Sequence, residues 1–102
     1  MSVIRVTNQN FKNEVLESSV PVLVDFYADW CGPCRMLRPS LDAIAAERSD
    51  VKVAAVNVDE EAELAIRYGI ASIPCVILFK DGEAAEKSVG LVPKESLEAL
   101  LN

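Results

Sequence analysis

Two cysteines separated by two residues, Cys31 and Cys34, constrain this chain more than any other feature, because of what lies on either side of them. The segment before them, residues 20–28, is almost entirely apolar and is typical of a buried strand. The segment after them, ending near Ser49, has the apolar spacing of an amphipathic helix. Two thiols at such a strand-to-helix junction are interpreted as a dithiol that alternates with a disulfide.

Length and charge restrict the possible functions. A chain of 102 residues is expected to form one domain, residues 1–102. Its net charge of −6 argues against binding to nucleic acid or an acidic membrane, since phosphate binding needs clustered cations. No apolar run approaches membrane-spanning length, and the N-terminal residues show no signal segment. We therefore expect a cytoplasmic protein that binds neither membrane nor nucleic acid.

The cysteine count and the absence of histidine limit the chemistry further. A disulfide framework is not expected, because there are only three cysteines and the cytosol keeps thiols reduced. Half of a zinc site is the alternative interpretation of the cysteine pair. Zinc needs four ligands, and with no histidine only Cys75 remains as a further sulfur ligand. No metal is therefore expected.

Hydrophobic periodicity predicts the element order βαβαβαββα. Strands are predicted at residues 3–6, 20–28, 51–58, 76–79 and 84–89. Thr7 or Asn8 is expected to cap a first helix, Asp59 to cap a helix that Gly69 ends, and Pro93 to open the last helix. Residues 80–83 are typical of a tight hairpin turn.

This order predicts an α/β fold with a mixed central sheet of about five strands and helices on both faces. Parallel strands joined by right-handed crossovers are expected, with one antiparallel hairpin. The second strand is apolar on both sides, as a central strand should be. It places Leu23, Asp25 and Tyr27 on one face and the even-numbered residues on the other.

With this order in place, the sequence resembles the thioredoxin family along essentially the whole chain. The residues that carry the resemblance are Val24-Asp25-Phe26, Ala28, Trp30-Cys31-Gly32-Pro33-Cys34, Val58-Asp59, Tyr68-Gly69-Ile70, Ile73-Pro74, Leu78-Phe79-Lys80, Gly82 and Gly90. The resemblance implies the thioredoxin fold. Three positions depart from the family pattern: Tyr27 replaces a tryptophan, Ala55 replaces a lysine near the buried aspartate, and Cys75 replaces a threonine.

The two cysteines are expected to have different roles. Cys31 lies at the mouth of a helix, where free N–H groups and the helix dipole favour a thiolate, so it should attack the substrate disulfide. Cys34 should be more buried, wait as a thiol and then attack the mixed disulfide. Gly32 and Pro33 keep the two sulfurs close. The family assigns Cys31 the same attacking role.

Asp25 is the second candidate catalytic residue. An ionised carboxylate in an apolar layer is costly, so its pKa should be raised, and it could then exchange a proton with Cys34. The resemblance implies the same use. A solvent-facing aspartate on an edge strand is the alternative. Because Ala55 removes a cationic partner, we expect the pKa of Asp25 to be higher still.

A shallow apolar docking surface is implied by the resemblance and comprises Trp30, Gly32, Ile73, Pro74, Val89 and Gly90. The same resemblance implies a cis Ile73–Pro74 bond and backbone pairing of that segment with substrate. Trp30 is expected to be partly exposed, with a core tryptophan as the alternative. Gly90 could instead be only a glycine at a strand end.

Cys75 is open to two interpretations. A buried cysteine that acts as a small apolar residue is favoured, as most free cysteines are buried. A regulatory thiol that becomes oxidised near the active pair is the alternative.

The predicted function is that of a monomeric thiol–disulfide oxidoreductase that reduces disulfides in protein substrates. No cofactor is expected, because the dithiol is itself the redox group. The resemblance implies re-reduction by a thioredoxin reductase, commonly dependent on flavin and NADPH. Two other classes remain open: a non-catalytic binding module, and an oxidant of secreted proteins.

Overall fold

The computed structural model describes residues 1–102 as five strands, three α-helices and one π-helical turn. The strands are β1 (Ile4–Arg5), β2 (Val22–Tyr27), β3 (Lys52–Asn57), β4 (Cys75–Lys80) and β5 (Glu83–Val89). The helices are α1 (Gly32–Glu47), α2 (Ala62–Arg67) and α3 (Lys94–Ala99), and the π-helical turn is Lys12–Leu16. With that turn counted as the first helix, the predicted order is confirmed.

The sheet has the strand order β1-β3-β2-β4-β5, which places β2 at its centre. The first three of these strands are parallel, whereas β4 is antiparallel to both β2 and β5. The prediction of a mixed sheet is confirmed, but the hairpin is not the only antiparallel pair. Cys75 pairs with Phe26, so β4 begins at the edge of the sheet where β2 ends.

Apolar residues cover both faces of the sheet. The first face, which we call the aromatic face, packs against the π-helical turn and α2, and its cluster has 12 buried residues: Val6, Phe11, Val15, Val22, Val24, Phe26, Ala54, Val56, Leu64, Cys75, Ile77 and Phe79. The second, the aliphatic face, packs against α1 and α3 and has 10: Leu23, Leu37, Leu41, Ile44, Ala45, Val51, Val53, Val76, Leu78 and Leu97. Helices therefore lie on both faces, as predicted.

The predicted helix caps are wrong at two places. The π-helical turn has Phe11 at its N-cap and no side-chain cap; Thr7 instead forms the preceding turn, where its carbonyl oxygen accepts from the N–H of Phe11 at 2.9 Å. Helix α2 begins after Glu61, also without a side-chain cap. The side chain of Asn57 accepts from the N–H groups of Asp59 and Glu60, so the turn before α2 is held by a different residue from the one predicted.

The predicted hairpin turn between β4 and β5 is present. Asp81 and Gly82 have φ values of 53° and 80°, the left-handed pair that a two-residue hairpin of this kind requires. A side chain at Gly82 would meet the carbonyl oxygen of Leu16 at 3.0 Å, so the turn packs against the backbone of the π-helical turn. No helix in the structure is long and apolar enough to cross a membrane.

Candidate active site

Cys31 and Cys34 form a disulfide at the N-terminus of α1. Cys31 is the N-cap residue, and its Sγ accepts a hydrogen bond from the backbone N–H of Cys34 at 3.2 Å. Gly32 and Pro33 are the first two residues of the helix, where a backbone N–H has no intrahelical partner, so the proline removes no helical hydrogen bond. In this disulfide form both cysteines are buried, Cys31 at 5% exposure and Cys34 at 3%. The helix end therefore contacts the sulfur that was predicted to carry the negative charge.

Asp25 lies within β2 and is 1% exposed. Its neighbours across the sheet are Ala55 on β3 and Val76 on β4, neither of which has a polar side chain. Its Oδ1 has no hydrogen-bond partner. Burial raises the pKa of Asp25 to about 7, and the positive charge of Arg38 partly opposes this rise. The solvent-facing alternative is wrong, and the carboxyl is set to exchange a proton near neutral pH.

A cavity of about 220 Å³ joins Asp25 to Cys34. Its remaining lining residues are Tyr27, Ala28, Asp29, Arg35 and Arg38. The carboxyl of Asp25 and the second cysteine therefore line one partly open cavity. Such a space is large enough to hold water that could carry a proton between them.

Trp30 is 68% exposed beside the disulfide, so the core alternative is wrong. Its Nε1–H donates a hydrogen bond of 2.9 Å to Oδ2 of Asp59. That bond fixes the indole while leaving most of its surface open. Asp59, predicted as a helix cap, therefore orients the exposed indole of Trp30, the residue that precedes Cys31.

The other predicted docking residues lie near the disulfide but differ in exposure. The carbonyl oxygen of Ile73 lies 4.0 Å from Cys31 Sγ, and the Ile73–Pro74 bond is cis. Pro74 is buried, and its carbonyl oxygen accepts from the N–H of Gly90 at 2.8 Å. Val89 is 52% exposed. Gly90 directly follows β5 and has a φ of +92°, a conformation that residues with side chains rarely adopt, which explains a glycine at this strand end.

Cys75 is a free cysteine, 1% exposed, within the cluster of the aromatic face. Burial raises the pKa of its thiol. Both observations support the interpretation of Cys75 as a buried apolar residue. The structure brings together no group of three or more potential metal ligands.

Sequence reasoning missed Arg38, which lines the cavity beside Asp25 and Cys34. Arg38 is four residues after Cys34, so helical periodicity could have placed it on the same face of α1 as that cysteine.

Comparison with known proteins identifies the family of the chain. The thioredoxin family model matches residues 2–102. A thioredoxin of Porphyra purpurea is 52% identical over 103 residues, covering 100% of this chain and 96% of that protein. Thioredoxin 1 of Synechococcus elongatus is 56% identical over 98 residues, covering 95% and 92%. A thioredoxin of Rickettsia prowazekii is 52% identical over 98 residues, covering 95% and 93%.

The matches extend over the full chain, and the Cys31–Cys34 pair lies at the N-terminus of α1 beside the buried carboxyl of Asp25. A dithiol in this position can be oxidised to the disulfide and reduced again. The chain belongs to the thioredoxin family and is a protein-disulfide oxidoreductase with Cys31 and Cys34 as its redox-active pair.

Proposed function

We propose that Cys31 attacks the substrate disulfide, Cys34 resolves the mixed disulfide, and Asp25 accepts the proton of Cys34. One observation carries this assignment: the helix-capping disulfide shares a cavity with a buried, unpartnered carboxyl. Two electrons pass from the dithiol to the substrate, which leaves as two thiols.

We assign the attack on the substrate disulfide to Cys31, because its sulfur accepts a hydrogen bond from the backbone N–H of Cys34 at the start of α1. The same hydrogen bond and the helix dipole would stabilise a thiolate at this position. No histidine exists to share that role. The backbone N–H groups of the first helical turn are therefore the main source of thiolate stabilisation.

Cys34 and Asp25 are assigned the resolving step. The Cys34 thiol transfers its proton to Asp25, and the resulting thiolate attacks Cys31 Sγ. The bond between Cys31 and the substrate sulfur breaks, and the departing thiolate takes up a proton from solvent. A carboxyl with a pKa of about 7 can accept and return that proton near neutral pH.

The docking surface is proposed to comprise Trp30, Ile73, Pro74, Val89 and Gly90. The exposed side chains of Trp30 and Val89 would supply apolar contact, and the Ile73–Pro74 backbone would pair with an extended substrate chain. Because Pro74 itself is buried, its contribution is to shape the backbone rather than to provide surface.

Protein disulfides are the substrates of this family, and a reductase returns the electrons. The finer assignments are part of our proposal: a monomer in the cytoplasm, without a bound cofactor, re-reduced by a flavin- and NADPH-dependent thioredoxin reductase. The intact pair and the buried carboxyl favour this over a binding module without redox activity.

The test is insulin reduction coupled to such a reductase, with single-cysteine variants. Cys34→Ser should accumulate a mixed disulfide with insulin through Cys31, whereas Cys31→Ser should form none and lose turnover. Cys75→Ser is the matched control and should behave as the parent protein. Equal turnover of Cys31→Ser and the parent would contradict the assignment.

A further inference from the structure

The cavity beside the disulfide contains a buried carboxyl for which the sheet provides no partner. Asp25 faces Ala55 and Val76 on its two neighbouring strands, and its Oδ1 makes no hydrogen bond. An ionised carboxylate in such a position needs compensation from another direction. Since β3 and β4 supply none, it must come from the cavity side, where α1 lies.

Two cationic side chains line that cavity, and they form different hydrogen bonds. Arg35 directs its Nη1 to the backbone oxygen of Asp29 at 2.7 Å. Arg38 donates from Nε to Asp42 Oδ1 at 3.1 Å, and no bond occupies its terminal nitrogens. Arg38 follows Cys34 by one helical turn, so both lie on the same side of α1.

We propose that Arg38 is the counter-charge of Asp25: across the cavity it stabilises the ionised carboxylate and so favours proton transfer from Cys34. Arg38 touches neither substrate nor sulfur in this role. It is a positioning residue that acts through Asp25, and it takes the place of the cation that Ala55 cannot supply. The inference rests on the proton-accepting role proposed for Asp25.

The other groups around Asp25 do not offer the same charge. Neither Cys34 nor Tyr27 has a cationic side chain, Asp29 is exposed and acidic, and Arg35 is held by a backbone oxygen. Cys75 belongs to the cluster of the opposite face, where burial raises the pKa of its thiol, so it remains neutral. Arg38 is also the one cation whose charge lowers the pKa of Asp25 against the effect of burial.

The proposal is tested by titrating the Asp25 carboxyl by ¹³C NMR in the oxidised protein. Arg38→Met should raise the pKa of Asp25 by ~0.5, a modest value because Arg38 is partly exposed and screened. Arg38→Lys should restore much of the difference. Arg35→Met is the matched control and should change the pKa by less than half as much.

A fourth variant separates charge from position. Asp42→Asn removes the ion-pair partner of Arg38 but keeps the guanidinium, so the pKa of Asp25 should stay or fall. An unchanged pKa in Arg38→Met, a rise as large in Arg35→Met, or a rise in Asp42→Asn would each overturn the proposal. Unfolding curves at pH 5 establish that the variants are folded.

Activity provides a second readout. If Asp25 must be ionised to accept the proton, the acid limb of the insulin-reduction profile should move to higher pH in Arg38→Met. At pH 6 the rate should then fall ~3-fold, the equivalent of 0.5 in pKa. Asp25→Asn tests the underlying role separately: an unchanged pH profile in that variant refutes the proton function, while the NMR titration still decides whether Arg38 sets the pKa.

Discussion

The two faces of the central sheet bury similar numbers of apolar side chains, 12 on the aromatic face and 10 on the aliphatic face. On the aromatic face, Phe79 meets Phe11 and Tyr68 edge-to-face at centroid distances of 5.6 and 5.1 Å. On the aliphatic face, the same central strand buries Asp25 without a hydrogen bond. The ring contacts on the aromatic face therefore stabilise the fold. On the aliphatic face, the buried carboxyl of Asp25 destabilises the fold but places a titratable group beside the disulfide.

The largest effect should come from opening the aromatic face. Phe79→Ala should lower the free energy of unfolding by ~3–5 kcal/mol, because it leaves a cavity between two ring contacts. Urea denaturation measures the loss, and Phe79→Leu should show a smaller one. Insulin reduction per folded molecule should not change; a proportional fall in that rate would show that this face also serves catalysis.

On the aliphatic face, Asp25→Asn should instead raise the free energy of unfolding near pH 7. The pKa of Asp25 is raised from 3.8 to about 7 in the folded protein, so the folded state binds a proton more tightly than the unfolded chain. Stability from this group is greatest below pH 4 and is lost as the pH rises to about 7, by as much as ~4 kcal/mol.

The Asp25→Asn variant has no carboxyl at this position, so it lacks this pH-dependent loss of stability. Its stability relative to the parent should therefore increase from pH 4 to pH 7 and change little above that. Urea denaturation of both oxidised proteins across this range provides the measurement. Parallel pH dependences in parent and variant would contradict the buried carboxyl.

Cys75 tests whether the aromatic face is closed to solvent. With 1% exposure and a raised thiol pKa, it should resist iodoacetamide in the folded oxidised protein and react fully in guanidinium. Cys75→Val should cost less than ~1.5 kcal/mol and leave turnover unchanged. Rapid labelling of the folded protein would instead support the regulatory interpretation of this thiol.

The smallest change in stability should come from Trp30, outside both clusters. Trp30→Ala should alter the free energy of unfolding by no more than ~0.5 kcal/mol, since the side chain is 68% exposed. The KM for insulin should rise, because the docking surface loses its largest apolar contact. Met36→Ala, at a similarly exposed site of 67%, is the control; an equal rise in KM there would remove the special role of Trp30.

The sequence was sufficient for features that repeat locally. The alternation in β2 correctly separated Val24 and Phe26 from Leu23 and Asp25, because side chains on a strand alternate with a period of two. The cysteine spacing and the helical pattern after it located the redox pair at the N-terminus of α1. Both signals lie within a few residues of the feature that they predict.

Features set by distant contacts were not predicted. Asp59 was expected to cap a helix by its local position, yet it accepts a hydrogen bond from Trp30, 29 residues earlier in the chain. The direction of β4 depends on the edge of the sheet at which the chain re-enters after α2, which local residue patterns do not encode. Arg38 became a partner of Asp25 only when the packing of α1 onto the sheet was known.

The order of strands has a consequence for how the chain is made. β2 lies between β3 and β4, but β4 follows it by about fifty residues, which a ribosome takes roughly 3–10 s to add. During that interval Asp25 lacks Val76, its neighbour on β4, so the burial that raises its pKa is incomplete. The group therefore acquires its unusual proton affinity only after three quarters of the polypeptide has been synthesised.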